Sequence, residues 1–214
     1  MRIPRKPRYR NVHTAVREFL ETENIDRFPI DPFHIIAMNG WNLTSYSALA
    51  EMNNLSIKDV IIGFQSMDGY VTFSPMDGYS IAYNDQIGSE GRIRFTLMHE
   101  VGHIYMKHLI DFEQTLLRRS KLNHNEYTVL EEEANVFARN ALAPALVVKG
   151  LECREVKDLK EMFILSNKAA DVRLNSLEND LKGLEQSTRD FFSYRYSGFI
   201  AKNKKQFTLK SSKE

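Results

Sequence analysis

Two histidines four residues apart, His99 and His103, lie in a stretch, Gly91 to Leu109, where Phe95, Met98, Val101, Ile104 and Tyr105 recur at helical spacing. That pairing constrains the fold more than any other feature of the chain. On an α-helix, positions four apart stand about 40° apart around the axis. Both imidazoles therefore leave one face a turn apart and can share a metal ion. Glu100 completes the pattern His99-Glu100-Val101-Gly102-His103. Offset by one residue from His99, it falls beside the ion, where a base that deprotonates metal-bound water has to be. Gly102 disfavours the helix by about 1 kcal/mol relative to Ala, a cost that makes sense where another backbone or a substrate comes close.

Catalytic zinc commonly takes three protein ligands and one water, so a third donor is needed. Glu131-Glu132-Glu133-Ala134-Asn135 supplies candidates on a second expected helix, from about Asn125 to Leu142 and stopping before Pro144. A run of three acids is ordinarily a solvated helix face, and only one of them can aim at the ion. Glu131 and Asn135 share a face, which lets Glu131 bind while Asn135 hydrogen-bonds a ligand.

Other segments frame these two helices. Asn11 to Glu23 reads as a helix, and Asp31 caps a short one ending near Met38. A short strand is expected at Trp41–Thr44, then helices over Tyr46–Asn53 and Ser56–Phe64, although Val60-Ile61-Ile62 also suits a strand. Asp68-Gly69-Tyr70 and Asp77-Gly78-Tyr79 punctuate two aromatic and β-branched runs that read as antiparallel strands. The strand around Ile81–Asn84 is the expected edge for an extended peptide. After a polar connection with Arg118, Arg119 and Lys121, the chain returns to helix over about 151–190. The fold class is α+β: a small antiparallel or mixed sheet packed on the two-histidine helix, with a helical C-terminal appendage. Gly150 is the candidate hinge, dividing a body (1–150) from the appendage (151–197) and a basic, poorly ordered tail (198–214).

Composition excludes several classes. The single cysteine, Cys153, rules out an internal disulfide and a zinc site built from several thiolates. With neither a signal core nor an apolar run long enough for a bilayer, a cytoplasmic protein is expected. Residues 1–10 carry a net +5 and residues 201–214 a net +4. With +1 overall, the 190 residues between them carry −8. An acidic body repels phosphate, so direct nucleic-acid binding is not expected.

The residues Arg94-Phe95-Thr96-Leu97-Met98-His99-Glu100-Val101-Gly102-His103, then Glu131-x-x-Ala134-Asn135-x-Phe137-Ala138 and Leu142-Ala143-Pro144, resemble the ImmA/IrrE family of metallo-endopeptidases. The likeness is dense over about 80–144 and continues through Phe163, Ser166, Ala169, Ala170, Arg173 and Leu174. Met98 stands where the family usually has Ala. The resemblance implies a zincin, thermolysin-like core holding Zn2+ through His99, His103 and Glu131, with Glu100 as base. It also implies cleavage of a helix-turn-helix transcriptional repressor. Tyr105, His108, His124 and Tyr127 are candidates for stabilising the oxyanion. On one straight helix His108 would stand 140° from His103, suiting a core or surface role. The competing reading is a regulatory module whose metal is structural or vestigial and whose appendage contacts a repressor or DNA. Phe163–Ala170 has a helix–turn–helix rhythm, but only Lys168 and Arg173 are basic between 162 and 180.

Overall fold

The apolar stripe expected near the N-terminus is present as α1 (Tyr9–Thr22), which buries Val12, Ala15, Val16, Phe19 and Leu20. The computed structural model describes residues 3–112 and 124–211, with side chains over 3–112 and 125–204. The connection carrying Arg118, Arg119 and Lys121 lies outside the described residues. In α2 (Pro32–Met38), the Asp31 carboxylate accepts from the Phe33 N–H. After β1 (Asn42–Ser45) come α3 (Tyr46–Met52) and α4 (Ile57–Phe64). A reciprocal cap between Ser56 and Asp59 starts α4, which settles Val60-Ile61-Ile62 as helix.

The two Asp-Gly-Tyr runs form β2 (Gly69–Ser74) and β3 (Gly78–Tyr83), an antiparallel pair with Val71 opposite Ile81. β3 also pairs in parallel with β1, Leu43 opposite Ile81, so the sheet order is β1-β3-β2. The expectation of an edge around Ile81–Asn84 is therefore corrected: β3 is central, and among the described residues β2 is an edge. A strand of four residues pairing across 38 positions leaves no local signal.

Next come α5 (Glu90–Tyr105), α6 (His108–Asp111), α7 (His124–Leu142) and α8 (Ala145–Leu151). The expected helix through Leu109 is broken at Lys107, whose φ is +57°. The chain then forms α9 (Val156–Phe163), α10 (Asn167–Gly183) and α11 (Gln186–Ser211). Two of the expected boundaries fall elsewhere. Gly150 lies inside α8 against α11, and Gly198 lies inside α11, which continues as helix to Ser211. Leu159, Phe163, Ala170, Phe192 and Tyr196 share one apolar core with Phe19, Leu97, Val101 and Phe137, so the C-terminal helices pack onto the body. The fold is α+β, mostly helical with one small mixed sheet.

Candidate metal centre

The site is built where α5 crosses α7. A Cβ on Gly102 would stand 3.0 Å from the Phe137 ring and 3.2 Å from the Ala134 carbonyl oxygen. That close approach is the reason for glycine inside an otherwise sound helix, and it brings the histidine face of α5 against Glu131. Arg94, buried near the start of α5, donates to the Ile30 carbonyl and anchors the helix to the segment before α2. On the other side, Gly69 at the start of β2 leaves no room for a side chain. A Cβ there would come 2.5 Å from Thr96 and 3.3 Å from Glu100.

Three donors converge. His99 Nε2 and His103 Nε2 are 3.1 Å apart, and the nearest Glu131 carboxylate oxygens lie 3.4 Å and 3.5 Å from them. A tetrahedral ion with bonds of about 2.0–2.2 Å holds its ligand atoms about 3.3–3.6 Å apart, so both imidazole–carboxylate spacings match such an ion and the imidazole pair is slightly tighter. The Asn135 amide oxygen sits 3.0 Å from His99 Nδ1 and can only accept, so Nδ1 carries a proton and Nε2 is the ring nitrogen turned toward His103 and Glu131. His103 Nδ1 in turn meets His108 Nδ1 at 2.9 Å. A lone pair facing another ring nitrogen at 3.1 Å needs a proton or a cation between them.

These groups line a cavity of about 190 Å³ with Glu100, Phe64, Asp68, Tyr70 and Tyr127. Burial pushes the Glu100 carboxyl up to about 7, the range of an effective general base at neutral pH. Glu100 makes no side-chain hydrogen bond among the described residues. For Glu131, burial works to raise the carboxyl, but the two imidazoles hold it well below the usual carboxylate range. It stays an anion and a ligand-competent oxygen donor.

The other candidates separate cleanly. Tyr127 lines the cavity one helical turn before Glu131. Tyr105 donates instead to Glu23 at 2.5 Å and packs on Phe19 and Phe137. His108 is fully buried behind His103, a core histidine. The side chain of His124 lies outside the described residues. Of the triple-acid run, Glu131 faces the cavity and Glu133 is wholly buried, bonded to Arg8 and His108. Sequence reasoning missed Glu133, yet a signal existed: it falls on the stripe Leu130, Ala134, Phe137, Ala141 that makes the core face of α7.

A partly buried two-imidazole, one-carboxylate cluster beside a buried carboxyl, set on crossed helices at the rim of a small sheet, has the donor set of a metallopeptidase centre. The family profile described as the IrrE N-terminal-like domain, peptidase family M78, matches residues 52–175, more than half of the chain. The chain belongs to that family. No curated protein gives a significant match.

Proposed function

We propose that the protein is a zinc-dependent endopeptidase with a zincin-like core, cytoplasmic, acting on a helix-turn-helix transcriptional repressor encoded near it. One observation carries the reading: His99, His103 and Glu131 converge in the same cavity as a buried, unbonded Glu100. The three converging side chains would hold the metal. When bound, the ion polarises the scissile carbonyl and acidifies a water. Glu100 takes the proton from the attacking water and later delivers it to the leaving amine. Asn135 fixes the ring of His99. Tyr127 is the candidate donor to the developing oxyanion.

Substrate binding follows from the rim. Among the described residues β2 pairs only with β3, and Gly69, Tyr70 and Val71 line the cavity. β2 therefore replaces β3 as the strand against which an extended peptide would lie. The cavity shares Asp68, Phe95, Thr96 and Asn135 with a larger recess of about 740 Å³ running toward α10, room for further substrate residues. No described helix is long and apolar enough to cross a membrane. Against a DNA-reading appendage, Arg173 is fully buried and bonded to Asp180 and Asn140, so α10 does not offer it to a phosphate.

Mass spectrometry of the repressor incubated with the wild-type chain and with Glu100→Gln tests the reading. A single cut made by the wild type and lost in the variant is expected. Equal cutting by both would remove Glu100 from its role.

A further inference from the structure

Behind His103, on the side away from the cavity, runs a buried chain of hydrogen bonds. Arg8 gives three N–H groups to the Glu133 carboxylate: its backbone N at 2.6 Å, Nε at 2.9 Å and Nη2 at 2.7 Å. His108 Nε2 is 3.0 Å from the same carboxylate, and His108 Nδ1 is 2.9 Å from His103 Nδ1. His108 and Glu133 are wholly shut off from solvent. The Arg8 guanidinium also lies over the Phe112 ring, 5.6 Å from its centroid.

Direction follows from chemistry. An ionised carboxylate only accepts, and three Arg8 donors keep Glu133 ionised. His108 Nε2 must therefore be the donor of that contact. A neutral imidazole has one N–H, so His108 Nδ1 is the acceptor. His103 Nδ1 then carries the proton, and its Nε2 lone pair points into the cavity.

We infer that Arg8, Glu133 and His108 form a positioning relay that locks His103 in the tautomer and ring orientation of a metal ligand. This rests on the proposed reading of His103 as a ligand. The relay differs from the support of His99, which is a single amide on the neighbouring helix. It passes through a second imidazole and ends on Arg8, just before α1 and outside the residues that match the family. The N-terminal segment thereby becomes part of the centre, since a chain lacking Arg8 would leave a buried carboxylate with only His108 to answer it.

Two measurements on the full-length chain test the relay. Long-range proton–nitrogen spectra of the metal-free wild type read each ring directly. His103 protonated at Nδ1 and His108 at Nε2 is the expected result, and His103 protonated at Nε2 overturns the relay whether or not any variant folds. Competition with a chromogenic chelator then reads zinc affinity, with circular dichroism as the check on folding. His108→Phe, which removes the acceptor, should weaken binding about 10–100-fold. His108→Asn should recover most of that, because its amide oxygen stands near the lost Nδ1. Arg8→Ala should weaken binding several-fold. A folded His108→Phe with wild-type affinity, or His108→Asn no better than His108→Phe, overturns the proposal. An unchanged Arg8→Ala removes Arg8 from it. A wild-type chain with the expected tautomers that takes up no zinc would contradict the proposed function and leave the relay standing.

Discussion

Two clusters of polar side chains are buried in this protein, and they are built on opposite terms. In one, the Asp180 carboxylate on α10 receives Arg139, Asn140 and Arg173, and Arg173 also reaches the Asn140 amide. It sets two guanidinium groups against one carboxylate, and within it only Arg173 Nε finds no acceptor among the described residues. In the other, His99, His103 and Glu131 crowd together, with Glu100 beside them making no side-chain hydrogen bond among the described residues. The first cluster ties α7 to α10 and is complete within the protein. The second gathers three donors that could hold a metal ion. A buried polar group left unanswered is costly, so the contrast marks which cluster is built for chemistry and which for cohesion.

If that division holds, substitutions should separate along it. The largest effect is expected from Glu100→Gln, which should lower peptide cleavage about 10²–10⁴-fold. Zinc content and melting temperature should stay close to wild type, measured on the same preparation.

Asp180→Ala should do the reverse. It strands the buried Arg173 charge and should destabilise the fold by about 3–5 kcal/mol in denaturant titration, with zinc affinity of the folded fraction unchanged. The acid side offers a finer version. Burial works to raise the Asp180 carboxyl, but Arg139 and Arg173 hold it below its ordinary value. Its contribution is whole above the unfolded value of about 3.9 and is lost as pH falls through the folded one. Asp180→Asn should therefore flatten the loss of stability as pH falls below the unfolded value of about 3.9.

Gly102→Ala should blur the division. The added methyl presses on Phe137 and the Ala134 backbone. Overpacking of about 1–3 kcal/mol is partly offset by about 1 kcal/mol of helix propensity. A modest loss of stability is expected together with weaker zinc binding, because α7 carries Glu131. The smallest effect is expected at Ser56→Ala, which removes the cap of α4 for about 1 kcal/mol and should leave both zinc binding and cleavage alone.

The sequence was most legible where one helix or one hairpin carried the information. The histidine pair, the shared face of Glu131 and Asn135, the Asp-Gly-Tyr turns and the crowded Gly102 all follow from local period or from one residue's chemistry. Relations between distant segments were not visible. The pairing of β1 with β3 is parallel and spans 38 positions, so it made β3 central without altering the look of either strand. Glu133 passed for part of a charged surface run because its answering groups, Arg8 and His108, lie 125 and 25 positions away. Burial of a charge depends on a partner, and spacing along one helix does not reveal partners that far off. The left-handed turn at Lys107, which carries His108 behind His103, was likewise hidden by an apolar pattern that ran straight on to Leu109.

The most direct measurement is the zinc K-edge absorption spectrum of the zinc-loaded full chain. If the three side chains hold the ion, about four light-atom neighbours near 2.0–2.2 Å with the scattering signature of two imidazoles are expected, and loss of one protein ligand in Glu131→Ala. Sulfur from Cys153, a hexahydrated ion, or an unchanged spectrum in Glu131→Ala would contradict that ligand set.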